Sequence, residues 1–224
     1  MKFFFKNKLW NLIDEYENNY TERFFCRREK IDNILINQAC GNILEVGCGE
    51  GRFLAKLKPI DKVPLIYGID ISMYGLHEAH RKGICVLRAD GEKLPFKKDT
   101  FDTVMSANGA LKEMKLDILL AEIYRVLKPG GVFAFDTYNE RPLKKQIKYK
   151  IRHYFGISDA PLTEYPGGIK SIKELKMSCL RCGFKIIALY NLYSLPFFPY
   201  GVLLKGALFS QIDTHFIGIL RKIK

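Results

Sequence analysis

Three glycines at alternate positions, Gly47, Gly49 and Gly51, interrupt an apolar run, and an acid, Glu45, stands two residues before the first of them. Two more carboxylates follow at wide intervals. Asp70 closes the run Leu65-Ile66-Tyr67-Gly68-Ile69, and Asp90, with Gly91, follows Ile84-Cys85-Val86-Leu87-Arg88-Ala89. The chemistry open to such a set is the holding of a polar ligand. A loop without side chains lets a ligand reach the backbone, and the N–H groups at a helix start favour a polar or anionic group. Carboxylates accept hydrogen bonds from hydroxyl and amino groups. Glu45 narrows the choice, because an acid so close to the loop repels a pyrophosphate and suits an amino group. The G-x-G-x-G spacing also falls one residue short of the dinucleotide fingerprint, so a nicotinamide-dependent oxidoreductase is disfavoured. Asp70 lies 19 positions after Gly51, near the offset at which a carboxylate meets ribose hydroxyls.

These residues need a frame of alternating strands and helices. Residues 42–46 read as a buried strand, the glycines as a tight loop, and Phe53, Leu54 and Leu57 as the start of a helix. Residues 65–70, 84–89 and 101–106 read as three further strands. Ser72 is placed to cap a helix running to Arg81. A helix over 116–126 stops at Leu127-Lys128-Pro129-Gly130-Gly131, which opens a fifth strand over 132–138. Ser171-Ile172-Lys173-Glu174 is a capping box and Gly183 a helix stop. Residues 184–190 and 215–221 supply the sixth and seventh strands. Ahead of all this, apolar and aromatic residues over 7–37 recur at helical intervals, predicting one or two helices.

Taken in order, Glu-Val-Gly-Cys-Gly-Glu-Gly, Gly-Ile-Asp-Ile-Ser, Ala-Asp-Gly-Glu-Lys-Leu-Pro-Phe, Phe-Asp-Thr-Val and Arg-Val-Leu-Lys-Pro-Gly-Gly resemble the successive motifs of class I S-adenosylmethionine-dependent methyltransferases. The likeness is to the small-molecule group that includes ubiquinone and menaquinone methyltransferases, and it covers about residues 40–138. The resemblance implies an α/β fold: a doubly wound, Rossmann-like, seven-stranded and mostly parallel sheet with an antiparallel last strand and helices on both faces. It implies S-adenosylmethionine as the cofactor. Glu45 would meet the methionine amino group, and Gly47, Cys48, Gly49 and Gly51 would form the loop beneath the ligand. Asp70 would take the ribose hydroxyls and Ile71 would pack on adenine. Asp90 would accept from the adenine amino group, Gly91 would supply backbone, and Ala107 would line the floor below the sulfonium. An N-terminal helix would close over the cofactor, bringing Tyr16, Tyr20, Arg27 or Arg28 towards the methionine carboxylate; for any one of these, packing on the sheet with its charge in water is the competing account.

One departure concerns catalysis. Members of the family often carry histidines where this chain has Lys112 and Glu113, so the usual base is missing. Glu113 and His153 are the remaining candidates, and no catalytic residue is assigned. The Asn/Asp-Pro-Pro-Tyr signature of nucleic-acid amine methylation is absent as well. The expected activity is direct methyl transfer to a small molecule, a hydrophobic one where the apolar stretch 195–209 serves as its cover. Methylation of RNA or protein is the alternative that a net charge of +12 suggests. A non-catalytic S-adenosylmethionine-binding protein is the other.

At 224 residues the chain fits one methyltransferase domain over 1–224, with residues 1–40 as a helical cap and 139–170 and 191–212 as substrate-side insertions. The stretch 195–209 is apolar but broken by Pro, Gly and Lys205, so it suits peripheral membrane contact, a substrate cover or a dimer face rather than a bilayer span, with packing against the sheet edge or against Phe3-Phe4-Phe5 as the competing account of equal weight. Six cysteines, with Cys48 in the loop and Cys85 in a strand read as buried, fit reduced thiols and a cytoplasmic setting. Cys179 and Cys182 form a C-x-x-C with no second pair and read as helix packing. His77 and His80 read as a surface pair, and no metal is expected. Oligomeric state is not legible.

Overall fold

The computed structural model describes residues 20–58, 65–107, 110–138, 172–193, 202–205 and 215–223. Helix α1 (Tyr20–Ile36) leads into β1 (Asn42–Val46), then α2 (Arg52–Leu57), β2 (Leu65–Asp70), α3 (Met73–Arg81), β3 (Cys85–Arg88) and β4 (Phe101–Ser106). A short turn of 3₁₀ helix (Ala110–Glu113) precedes α4 (Leu116–Val126), which passes without a loop into β5 (Leu127–Tyr138). Then come α5 (Ile172–Arg181), β6 (Phe184–Tyr193), β7 (Val202–Lys205) and β8 (His215–Lys222).

The strands form one sheet in the order β3-β2-β1-β4-β5-β8-β6-β7. Strands β1 to β5 are mutually parallel, and β8 inserts antiparallel between β5 and β6. All seven expected strands are present, with the expected antiparallel last strand. An eighth, β7, adds to the edge as an antiparallel partner of residues 190–193 of β6. It lies inside the stretch 191–212 read as an insertion, and its residues pair onto the sheet edge, the competing account given for 195–209.

Covering both faces explains the strand sequences. β1 is buried along Ile43, Leu44, Glu45 and Val46, as a central parallel strand must be. Side chains alternate between faces. Leu44 and Val46 join Leu119, Leu120, Ile123, Leu175 and Phe184 in the core under α4 and α5. Ile43 joins Ile31, Leu35, Phe53, Leu54 and Leu76 in the core under α1, α2 and α3.

The first strands are pinned at the edge of the sheet where they begin. Asp102 of β4 accepts from the Asn42 backbone N–H at 2.9 Å and from Lys128 Nζ at 2.8 Å. Burial pushes the Asp102 carboxyl up, but Lys128 and Asn42 outweigh it and leave it below the usual carboxylate range. Asp102 therefore aligns strands and lies away from the glycine loop.

One expectation fails here. Cys85 is exposed, not in a buried strand. β3 is the outer strand beside β2, so its far edge and part of its face meet solvent. Residues 1–19 and 139–171, which include Tyr16, His153 and the whole of the expected insertion 139–170, lie outside the described residues, as do the side chains of Tyr20, Arg27, Lys112 and Glu113 and most of 191–212.

Candidate active site

β1, β2 and β4 run parallel, so their last residues gather at one edge of the sheet, the place where open α/β sheets bind ligands. The glycine loop leaves β1 there. Gly47 and Cys48 donate backbone N–H bonds to the Ile69 carbonyl, both at 2.9 Å, which clamps the loop on the end of β2. Gly49 and Gly51 hold φ values of +47° and +69°, a left-handed conformation that a Cβ disfavours. They differ in surroundings. A Cβ on Gly51 would lie 2.5 Å from Ile84 Cδ1 and 3.0 Å from Ala79 Cβ, whereas one on Gly49 would meet nothing within 4 Å. Gly51 is thus demanded by packing, and Gly49 leaves an open space above the loop.

Asp70 organises the rim. Its Oδ2 accepts from Gly49 N–H at 2.8 Å and its Oδ1 from Ser72 N–H at 2.8 Å. Ser72 caps α3 as the spacing predicts, its Oγ accepting from Gly75 N–H at 3.2 Å. Each Asp70 oxygen keeps a further lone pair. Ile71, the next residue, is 68% exposed, an apolar side chain held in the open beside a carboxylate. Asp90 is exposed and turns the chain by accepting from Glu92 N–H at 2.8 Å. Gly91 is buried between Val46 and Met114, where a Cβ would come within 2.7 Å of the methionine sulfur. Ala107, at the end of β4, is fully buried. Ser106 Oγ donates to the Val46 carbonyl at 3.0 Å and ties β4 to β1 at the mouth of the loop.

Glu45 is the unusual member. It is 1% exposed, and its Oε2 has no hydrogen-bond partner among the described residues. Burial raises its carboxyl well above the ordinary range. Asp136, Asp32 and Asp70 push in the same direction, and only Arg28 opposes them. The Cys48 thiol is likewise pushed up to about 12, by burial first and then by Glu45 and Asp70. Cys48 is therefore a packed thiol and not a nucleophile.

Arg28 does neither of the things the sequence allowed. It is buried under the sheet, with Nη1 donating to Asp136 Oδ2 at 2.8 Å, Nη2 to Asp136 Oδ1 at 3.0 Å and Nε to Asp32 Oδ1 at 2.6 Å. Lys56 of α2 completes the cluster against Asp32 Oδ2 at 2.5 Å. Burial opposes the charge on Arg28, but Asp136 and Asp32 hold it on. This cluster, which ties α1 to β5, is absent from the sequence reading. The available signal was Asp136 itself, an acid inside the apolar run 132–137, of the same kind as Glu45 inside 43–46.

His77 and His80 are exposed on α3. Cys179 is buried with its thiol pushed up to about 12 by burial, and Cys182, just past α5, is raised for the same reason. Both suit packing. No helix among the described residues is long and apolar enough to cross a membrane.

Residues 44–135 match the family described as a methyltransferase domain. The chain is 30% identical over 125 residues to a fatty-acid O-methyltransferase of Mycolicibacterium smegmatis, covering 54% of this chain and 43% of that one. It is 26% identical over 204 residues to a sterol 24-C-methyltransferase of Pneumocystis carinii, covering 80% and 53%. The chain thus spans about half the length of these curated relatives. Among solved structures, an S-adenosylmethionine-dependent methyltransferase from Thermotoga maritima superposes with a TM-score of 0.65 at 20% identity, over 96% of this chain and 99% of that one, and shares the fold.

Proposed function

We propose that this chain, whose residues 44–135 match a methyltransferase domain, moves a methyl group from S-adenosylmethionine to a small, hydrophobic acceptor. One observation carries the reading: adjacent parallel strands carry at their ends Glu45, a buried carboxyl group whose Oε2 lacks a hydrogen-bond partner among the described residues, and Asp70, which holds the Gly49 N–H and keeps spare acceptor capacity, and Gly49 itself faces open space. A ligand with an amino group at one end and hydroxyls farther along fits that set. Glu45 accepts from the amino group, and the backbone of Gly47, Cys48, Gly49 and Gly51 lies beneath. Asp70 accepts from the ribose hydroxyls, and exposed Ile71 covers a face of adenine. Asp90 accepts from the adenine amino group, with Gly91 supplying backbone and Ala107 closing the floor.

The bound donor supplies a methyl group already activated by its sulfonium. The work left to the protein is to orient the acceptor and keep water out. No protein nucleophile is required, which agrees with the unreactive Cys48. A base is needed only for an acceptor that must lose a proton. The fatty-acid and sterol acceptors in the names of the two relatives support a hydrophobic molecule. In a domain spanning 1–224, residues 1–40 are assigned to a helical cap over the cofactor and 139–170 and 191–212 to the acceptor side, with 195–209 as a candidate contact with lipid. The free thiols support a cytoplasmic setting.

The test supplies donor labelled in its methyl group to the purified protein together with a fatty-acid and sterol panel, total RNA and a protein extract. Label in the lipid fraction supports the reading. Label confined to RNA or protein, or to nothing, overturns it.

A further inference from the structure

The buried cluster beneath the glycine loop has a charge balance that bears on how the cofactor is taken up. Every charged or titratable described group facing Glu45 can be placed. Arg28 and Asp32 come from α1, Asp70 from the end of β2, Asp136 from β5 and Cys48 from the loop, while Lys56 of α2 reaches Asp32 only. Arg28 is bonded to Asp136 and Asp32, and Lys56 is bonded to Asp32, so both of these acids already hold a cation. Asp70 rests on two backbone N–H groups. Cys48 carries no charge. Among the described residues Glu45 is left with no cation bonded to it, and its Oε2 accepts no hydrogen bond in a buried position. An ionised carboxylate so placed is costly unless a positive group arrives.

Resting on the donor-binding reading above, we propose that Glu45 is protonated in the free protein and exchanges that proton for the ammonium group of the donor, with Arg28 as the fixed charge that makes the exchange favourable. The balance is simple. The Glu45 O–H bond breaks, its proton leaves to solvent, and the carboxylate accepts an N–H bond from the ammonium. Total charge in the cluster is the same before and after. Arg28 is a positioning residue here, acting through Asp136 and Asp32. With its guanidinium in place those two acids are neutralised and Glu45 can ionise for an incoming cation. Without it they repel a third negative charge.

The proposal predicts a proton count. The demethylated product S-adenosylhomocysteine has the same amino group and serves as the probe. Titration calorimetry at neutral pH, repeated in buffers of different ionisation enthalpy, should show up to one proton released per molecule bound. Affinity should rise with pH by up to about tenfold per unit while Glu45 is protonated in the free protein. Glu45→Gln should bind more weakly and release no such proton. Arg28→Met should bind weakly with reduced release, and Arg28→Lys should recover part of both. Should Arg28→Met fail to fold, the wild-type count and Glu45→Gln still decide. A wild-type enthalpy independent of buffer, with affinity flat in pH, overturns the proposal and leaves donor binding standing. So does the same proton count in Glu45→Gln. Absence of binding at every pH overturns the donor-binding reading and this proposal together.

Discussion

Replacing Gly49 and, separately, Gly51 with alanine separates what the loop does for the fold from what it does for a ligand. Both residues hold left-handed backbone, and an L side chain there costs about 1–2 kcal/mol. For Gly49→Ala the cost stops there, because its Cβ enters open space. For Gly51→Ala the new methyl is pressed against Ile84 and Ala79 in the packing between the loop, α3 and β3. Overpacking of that kind adds about 1–3 kcal/mol. In a chain of this size each kcal/mol moves the midpoint by about 2–4 °C. Gly49→Ala should therefore melt a few degrees below wild type, and Gly51→Ala by about 5–15 °C. Binding should separate the pair in the opposite sense. The Gly49 methyl occupies the space assigned to the donor, so affinity for S-adenosylhomocysteine should fall by about tenfold or more, the effect of about 1.4 kcal/mol. The assays are thermal unfolding by circular dichroism and calorimetric titration. Gly49→Ala that binds like wild type refutes the assignment of that space. Gly51→Ala as stable as Gly49→Ala refutes the packing argument.

Further outcomes follow from the same contacts. Asp70→Ala loses two backbone bonds and the proposed ribose contacts. At about 1.5–3 kcal/mol for a hydrogen bond to a charged group, its affinity for S-adenosylhomocysteine should drop by about one to two orders of magnitude, and unchanged affinity would contradict its role. Arg28→Met leaves Asp136 buried without its bidentate partner, so urea unfolding should show a loss of about 3–5 kcal/mol; a loss below about 1 kcal/mol would place the cluster outside the stable core. The raised carboxyl of Glu45 binds a proton more tightly in the folded chain than in the unfolded one. Its stabilising effect is therefore full at pH below the ordinary carboxylate range and fades as pH rises through the raised folded value. Glu45→Gln removes that dependence, so without ligand it should melt above wild type at about pH 8. Identical melting curves in mildly alkaline buffer would show that Glu45 is not held neutral.

Much of the frame was legible because its signals are local. Ser72 sits at cap distance from Gly75, the glycine loop interrupts an apolar strand, and Gly183 stops α5 before Phe184. The misreadings come from long-range facts. The run Ile84-Cys85-Val86-Leu87 has the composition of a buried strand, but its place at the outer edge of the sheet exposes Cys85 and Leu87. β7 is only four residues long and lies in a stretch broken by proline and glycine, so no periodicity revealed it. Arg28 has its partner 108 positions away, and a helix pattern cannot tell an arginine in water from one meeting Asp136 across the fold. Within the site, the resemblance assigned a role to each residue by type. What it left out was electrostatic: Glu45 has a place beside an amino group, but its missing cation appears only when α1, α2 and β5 are brought together.

The most direct test of the account is a crystal structure of the protein with S-adenosylhomocysteine. The account predicts the ligand along the ends of β1 and β2, with Glu45 at its amino group, Asp70 at both ribose hydroxyls, Asp90 at the adenine amino group and Ile71 covered. An empty crevice at saturating ligand, or a ligand bound away from these three carboxylates, would contradict it.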